Sequence, residues 1–273
     1  MTNHLQTKHK LSATDAEIKT MEIDVQAMKD EILGEGFKGS IHLVVFDLET
    51  TGLISDITPS PHIVEIAARL FGSSEHFTSL VNPECPIPES ARTIHHISDD
   101  MVQASPPIQH VGQLFIDWTE TFSCPQDIIL LIAHNCEEFD KLVLIRALES
   151  VGITLPDNWR FADSLQLFRR THPGFKGYHP YSLESLYKRF FDEAIPHGHR
   201  ADGDINALLR LLMYAHGATS TSAQQKIINN LMSRYGRIIP SPLRNPTNKH
   251  PAGSFLNWWG VFFQTTVHPA LLQ

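Results

Sequence analysis

The feature that most constrains the fold of this chain is a short apolar run that ends in two carboxylates. Residues 41–46 read IHLVVF, and residues 47–52 continue as DLETTG. A β-branched apolar run of this length predicts a buried strand. Since alternate residues of a strand face the same side, Asp47 and Glu49 should project together from its carboxyl end. Such carboxylates repel each other unless a hard cation lies between them, so the pattern indicates a divalent-cation site. A bare D-x-E without the strand would more simply be a solvated acidic loop.

Acidic residues follow a second apolar run in the same way. Residues 128–133, IILLIA, predict another strand, and the segment AHNCEEFD at residues 133–140 overlaps its end. Asp140 opens a helix that is predicted to continue over residues 141–152. A carboxylate in the first turn of a helix also stabilises the helix N-terminus, so a capping role for Asp140 stays open.

A third acidic segment, HRADGD at residues 199–204, stands before another predicted helix. The chain has 16 histidines, so His199 on its own would be read as a surface residue. Taken together, three separated segments place carboxylates beside apolar elements, which is the set of ligands that two-metal phosphoryl transfer needs. We therefore expect two Mg²⁺ or Mn²⁺ ions at this site, with a histidine that takes a proton from the attacking water.

The order of the predicted elements indicates an α/β fold. Three strands come first as a meander, and strands then alternate with helices, which predicts a mixed central sheet flanked by helices. The predicted strands are residues 41–46, 63–71, 77–81 and 128–133, and the predicted helices are residues 105–122, 141–152, 182–191, 204–217 and 222–235.

The two ends of the chain differ in residue composition from its middle. Residues 1–36 predict a polar leader followed by an amphipathic helix over 14–33, which either packs on the main body or binds a partner. Residues 37–240 form the predicted catalytic domain. Residues 241–273 predict a proline-rich linker and an apolar tail, FLNWWGVFF at 255–263. That tail would pack on the domain, form a dimer face, or touch a membrane interface or a partner, since tryptophan favours such boundaries.

The composition of the chain limits its possible function, compartment and relation to a membrane. The formal net charge of −8 argues against a protein whose function is only to bind nucleic acid through phosphate contacts. It does not argue against an enzyme, because bound divalent cations can reverse the sign of the local electrostatic field. Three cysteines in no zinc or disulfide pattern favour a reducing compartment, the cytoplasm or the nucleus. The sequence contains no run of 18 apolar residues, so no conventional membrane span is predicted.

The three acidic segments resemble the motifs of a known superfamily. FDLETTG, the HN and FD pairs of the second segment, and the H-x4-D of the third are similar to the exonuclease motifs of the DnaQ-like (DEDDh) enzymes, across about residues 40–240. This resemblance implies an RNase-H-like fold. It also implies that Asp47, Glu49 and Asp204 hold the metal ions, that Asp140 completes the site partly through water, and that His199 is the general base.

A further segment, VNPECPIPESARTIHHIS at residues 81–98, is similar to the part that these enzymes place beside the 3′-terminal nucleotide. By the same resemblance, Leu53 and Ile94 would pack against the terminal base, and Asn135 and Phe139 would line the same pocket. Apolar and amide side chains at such places can equally be core or capping groups.

Within the superfamily, the three-prime repair exonucleases look most similar. The second motif has one residue more than the common A-H-N-A-x-F-D form, and YSLESLYKRF at residues 181–190 resembles the region before their third motif. The resemblance implies a 3′→5′ exonuclease that degrades DNA, prefers single-stranded 3′ ends or overhangs, releases nucleoside monophosphates and forms homodimers. Glu138 departs from the pattern, because those enzymes often have a basic residue there.

Other functions stay open at this point. The same chemistry could serve an exoribonuclease acting on RNA, and an inherited fold could serve a non-catalytic nucleic-acid-binding scaffold. Residues 169–180, RRTHPGFKGYHP, combine basic and aromatic residues in a loop broken by glycine and proline. That composition suits single-stranded nucleic acid, although an ordinary surface loop would look the same.

Overall fold

The computed structural model describes residues 37–54, 60–216, 227–228 and 239–240. Within these ranges no helix is both long and apolar enough to cross a membrane. The predicted helix over residues 14–33, the linker and the apolar tail lie outside the described residues, and so does all but residues 227–228 of the helix predicted over 222–235. The predicted domain boundaries at residues 36/37 and 240/241 therefore stay predictions.

One mixed sheet organises the part of the chain that the structure describes. The strand order is β3-β2-β1-β4-β5-β6. The central pairs β1–β4 and β4–β5 are parallel, and the pairs β1–β2, β2–β3 and β5–β6 are antiparallel. The strands are β1 (Ile41–Thr50), β2 (Ile63–Leu70), β3 (His76–Leu80), β4 (Ile128–Ala133), β5 (Trp159–Asp163) and β6 (Ile239–Pro240).

Helices connect and cover these strands. The α/β class and the mixed sheet flanked by helices are confirmed. The helices are α1 (Glu89–His95), α2 (Asp99–Val102), α3 (Ile108–Glu120), α4 (Asp140–Ser150), α5 (Ser164–Thr171), α6 (Leu183–Phe191) and α7 (Ala201–His216).

β4 is apolar throughout and β1 carries the apolar run Leu43–Phe46, because both faces of the sheet are covered. Along β1, Val44 and Phe46 belong to one buried cluster, which also contains Phe115 of α3. The alternate residue Val45 belongs to a second cluster, which contains Leu208 of α7. A strand buried on both faces is expected to show a continuous apolar run rather than alternation.

Several elements differ from the prediction. β1 continues to Thr50, so Asp47 and Glu49 lie within the strand rather than after it. β5 and the helices α1, α2 and α5 were not predicted from the sequence. α5 also takes in Arg169 and Arg170, so the predicted loop over 169–180 begins later than expected. The side chain of Asp163 explains this helix, because it caps the helix by accepting a hydrogen bond from the backbone N–H of Leu165.

Candidate active site

Three carboxylates meet at the carboxyl end of β1. One ligand oxygen from each of Asp47, Glu49 and Asp204 lies within 4.8 Å of the other two. Asp47 and Glu49 are two residues apart on the strand, so their side chains leave the same face of the sheet. Asp204 comes from α7, the helix that packs on the face of the sheet to which Val45 of β1 points. The structure therefore brings together three side chains that the sequence placed in two distant segments.

The helix that follows the third acidic segment begins earlier than the sequence predicts. α7 begins at Ala201, three residues before the predicted start at residue 204, and Asp204 lies in its first turn. The backbone N–H of Asp204 donates to the carbonyl oxygen of Arg200 over 3.0 Å, which closes that first turn. The helical start fixes where the Asp204 carboxylate points.

Asp140, the fourth predicted acid of the site, is buried. It is the first residue of α4 and is only 3% exposed. Burial raises the pKa of Asp140 to about 7, although hydrogen bonds from its own backbone and from that of Leu48 act in the opposite direction. It does not belong to the group within 4.8 Å, but its charge contributes to the raised pKa of Asp47. The predicted role of Asp140 in completing the metal site stays a prediction.

Burial and mutual repulsion disfavour the charged forms of these acids. The pKa of Asp47 lies well above its ordinary value, first because of burial and then because of Asp140 and Asp204. Burial, followed by the charge of Asp204, raises the pKa of Glu49 to about 8. Burial also raises the pKa of Asp204 to about 6, with His199 opposing the rise.

This cluster of carboxylates fits a hard divalent cation. Carboxylate oxygens are the ligands that Mg²⁺ and Mn²⁺ prefer, and a cation between them would remove the repulsion that raises their pKa values. The residues present therefore match the implied metal in both chemistry and charge.

His199 lies next to the acidic group and is half-exposed. Its backbone has φ of 62°, in the left-handed region, and its N–H donates to Oδ2 of Asp204 over 3.2 Å. On the side chain, Nε2 lies 3.6 Å from Oε1 of Glu184 in α6. The ring is therefore half-exposed to solvent and faces a carboxylate.

The lack of a side chain at Gly203 allows the loop that carries His199 to pack closely against α7. A Cβ at Gly203 would lie 2.1 Å from the carbonyl oxygen of His197 and 3.0 Å from that of Pro196. Both obstacles are backbone atoms, which cannot swing away. The loop can approach the first turn of α7 this closely only because residue 203 has no side chain.

The four residues predicted to contact substrate occupy different surroundings. Leu53 is 76% exposed and Ile94 is 54% exposed, so both present apolar surface to solvent. Phe139 precedes α4 and packs partly against the core. Asn135 lies in the β4–α4 loop with φ of 65°, and its backbone N–H donates to Asp163 over 3.2 Å. Their predicted contact with the terminal nucleotide stays a prediction.

Two structural supports of the site were not found from the sequence. Glu65 of β2 pairs with Arg200, which directly follows His199. Asp163 at the end of β5 accepts hydrogen bonds from the backbone N–H groups of Asn135 and Glu137, which fixes the loop before Asp140. One signal was available for Glu65, because it is a lone acid inside the otherwise apolar strand start IVEIAA.

A basic groove lies near the half-exposed histidine. It has a volume of about 600 Å³ and is lined by Glu184, which faces His199, and by the exposed Tyr178. Arg189 of this groove stacks over the ring of Phe175 at 4.4 Å. The remaining lining residues are Lys176, Pro180, Ser185 and Lys188.

Comparison with protein families gives a match over most of this region. Residues 44–212 match the RNase_T family model, which is described as "Exonuclease". This range contains every acidic residue of the candidate site and His199.

Two curated proteins show related sequences. The chain is 32% identical over 178 residues to exonuclease DPD1, chloroplastic/mitochondrial, of Arabidopsis thaliana, a match that covers 62% of this chain and 54% of that protein. It is 30% identical over 183 residues to DNA polymerase III subunit epsilon of Treponema pallidum, covering 65% and 79%. The chain thus spans about half of the length of the Arabidopsis relative.

A solved structure shows the same architecture. The chain aligns with exonuclease I at a TM-score of 0.54 and 16% identity, over 70% of this chain and 43% of that one. At this identity the likeness concerns the fold alone, and the predicted RNase-H-like fold is confirmed.

Proposed function

Because this chain belongs to the RNase_T family of DnaQ-like exonucleases, we propose that it is a metal-dependent 3′→5′ exonuclease that degrades DNA and prefers single-stranded 3′ ends. The observation that carries the proposal is the group formed by Asp47, Glu49 and Asp204, whose oxygens lie within 4.8 Å of one another beside His199. This combination of hard ligands and a solvent-open histidine suits hydrolysis of a phosphodiester bond.

The carboxylates would hold two ions, Mg²⁺ or Mn²⁺. Asp47, Glu49 and Asp204 are the proposed direct ligands, and the buried Asp140 is proposed to complete the site. When bound, such ions supply Lewis-acid polarisation of the phosphate and neutralise charge on the attacking and leaving oxygens. The protein contributes the fixed positions of the carboxylates, which a sheet and a helix N-terminus hold rigidly.

His199 is the proposed general base. It would accept a proton from the attacking water, whose oxygen then bonds to phosphorus as the bond to the 3′-oxygen breaks, releasing a nucleoside monophosphate. Oε1 of Glu184 lies 3.6 Å from Nε2 of His199, so a carboxylate of α6 faces the ring. The hydrogen bond from the His199 backbone to Asp204 links the base to the metal ligands.

The substrate is proposed to be a single DNA strand. Three cations and the 90% exposed Tyr178 line the groove that borders Glu184, a combination that offers phosphate contacts and a ring for base stacking. Leu53, Ile94, Asn135 and Phe139 are the proposed contacts of the 3′-terminal nucleotide. The name of the Treponema pallidum relative, a DNA polymerase subunit, also favours DNA.

Digestion of matched oligonucleotides tests the substrate. Single-stranded DNA, blunt duplex DNA and RNA of the same sequence would be incubated with the protein in Mg²⁺, with EDTA as control. The proposal predicts fastest loss of single-stranded DNA. Faster loss of RNA would favour the exoribonuclease alternative, and no metal-dependent loss of any substrate would favour the non-catalytic scaffold.

Assembly and location stay predictions from the sequence. A homodimer follows only from the resemblance to the three-prime repair exonucleases, and analytical ultracentrifugation of the full chain would test it. A reducing intracellular compartment follows only from the cysteine pattern, and contact of the tail with a membrane interface from its tryptophans.

A further inference from the structure

Two glutamates face each other directly across the β1–β2 pair. Glu49 of β1 and Glu65 of β2 are register partners in the antiparallel ladder. Like charges at directly opposed positions destabilise a sheet. Glu65 is also only 2% exposed, so water cannot screen its carboxylate. A buried acid beside a cluster of acids requires a compensating partner.

Arg200 is that partner. Its Nε donates to Oε2 of Glu65 over 3.0 Å, and a second guanidinium nitrogen donates to Oε1 over 2.5 Å. Such two-point pairs between arginine and a carboxylate fix orientation as well as charge. The positive charge of Arg200 also acts on Glu49, whose pKa it lowers against the larger effect of burial.

Glu65 additionally holds the start of α7. Its Oε2 accepts a hydrogen bond from the backbone N–H of Ala201 over 3.0 Å. This N–H belongs to the first residue of the helix and has no partner within the helix itself. One buried carboxylate of β2 therefore binds both the side chain before α7 and the first backbone donor of α7.

The contacts between Glu65, Arg200 and Ala201 affect both His199 and Asp204. His199 immediately precedes Arg200, and Asp204 follows it by one helical turn through the hydrogen bond to the Arg200 carbonyl. His199 holds a left-handed backbone conformation, which is uncommon for a non-glycine residue. Any rotation of the helix start would move the carboxylate of Asp204 and the ring of His199 together.

We propose that Glu65 and Arg200 are positioning residues, which set the start of α7 so that Asp204 and His199 face Asp47 and Glu49. The inference rests on the proposed function, because it assigns the pair to the metal site of that activity. Neither residue needs to touch the metal or the nucleic acid. Both act through the residues next to them.

The test compares this pair with a second arginine–glutamate pair, in which Arg210 of α7 contacts Glu193. Glu65→Gln removes the charge, and Arg200→Lys keeps the charge but loses the two-point geometry. Glu193→Gln and Arg210→Lys change an exposed pair whose closest contact is 2.7 Å and which lies outside the acidic group. The readouts are Mn²⁺ affinity by electron paramagnetic resonance without nucleic acid, kcat and KM on single-stranded DNA, and Tm.

The positioning role predicts a loss of about 10–100-fold in Mn²⁺ affinity and in kcat for both site variants, as for other residues that orient metal ligands. KM should change much less, because the groove that holds the strand is untouched. The double variant Glu65→Gln/Arg200→Lys should lose no more than the worse single variant, since the two residues act as one unit. The control variants should keep the wild-type Mn²⁺ affinity, kcat and KM, although Arg210→Lys should lower Tm, because Arg210 also donates to the hydroxyl of Tyr187 and stacks on Phe191.

Normal Mn²⁺ affinity and kcat in folded Glu65→Gln and Arg200→Lys would overturn the inference, because a purely structural pair lowers only Tm. Should Glu65→Gln fail to fold, the half-exposed Arg200→Lys decides the question alone. Failure of the proposed function looks different: wild-type protein would show no metal-dependent digestion, whereas the effect of the variants on Mn²⁺ affinity would still be measurable.

Discussion

The backbone N–H of His199 donates a hydrogen bond to Oδ2 of Asp204 over 3.2 Å. The proposed general base and a proposed metal ligand are thereby joined at the start of α7, since His199 lies in the loop before that helix and Asp204 in its first turn. A shift of the loop before α7 should therefore move both residues.

Replacing Asp204 tests the metal group. Asp204→Ala removes one of three carboxylates that meet at β1, so we expect a loss of several orders of magnitude in kcat with the fold intact. Steady-state kinetics and circular dichroism would measure both. The matched control is Asp202→Ala, an exposed acid of the same turn whose side chain accepts a hydrogen bond from Asn206. Equal activities of the two variants would contradict the assignment.

Replacing His199 tests the general base. His199→Ala should lower kcat by several orders of magnitude, because no other group then accepts the proton of the water. Single-turnover rates on single-stranded DNA provide the measurement. His197→Ala, two residues earlier in the same loop, should keep near-normal rates. A large loss in His197→Ala as well would point instead to metal binding by several histidines.

Gly203 offers a steric test. Gly203→Ala should push the backbone of His197 away and displace His199, lowering kcat at least several-fold and destabilising the fold by about 1–3 kcal/mol. Alanine would ordinarily stabilise a helical position by ~1 kcal/mol relative to glycine, so the expected sign is opposite. Gly198→Ala is the control, because its Cβ would meet Ile195 at an ordinary 3.4 Å. Denaturant unfolding and kinetics would show whether only the first variant is impaired.

The acidic group also predicts how stability depends on pH without metal. The pKa values of Asp204, Asp140 and Glu49 are raised to about 6, 7 and 8 in the folded protein. The folded state then binds more protons than the unfolded state between about pH 4 and pH 8, so stability falls as pH rises through this window. Calorimetry in EDTA should show a falling Tm.

Added Mg²⁺ should reverse that trend. The ion binds the deprotonated carboxylates of the folded state, so its stabilising effect should grow as pH rises from 6 to 8. The same titration in Asp204→Ala serves as control and should show a smaller response. A metal-free Tm that rises steadily over this range would contradict the described electrostatics.

Much of the fold and the site followed from local patterns in the sequence. Asp47 and Glu49 were found because period two on a strand places them on one face, and Asp140 because it follows a buried apolar run. β5 was missed because WRFAD is short and contains Arg160, and its burial comes from pairing with β4. Such pairing is not visible in a window of five residues.

The supports of the site depend on contacts between distant residues. Glu65 and Arg200 are separated by 135 positions, and nothing near either residue indicates its partner. The early start of α7 has the same origin, because the acceptor for Ala201 lies in β2. Sequence patterns find side chains that share an element, whereas a pair that joins two elements requires the tertiary structure.

The most direct test of the account follows the polarity of digestion. A single-stranded DNA would carry a label on its 3′-terminal nucleotide in one preparation and on its 5′ end in another, with digestion in Mn²⁺ and in EDTA. The account predicts immediate release of 3′-labelled mononucleotide and stepwise shortening of the 5′-labelled strand, both abolished by EDTA and by Asp204→Ala. Release of internal fragments, release from the 5′ end first, or full activity in EDTA would contradict it.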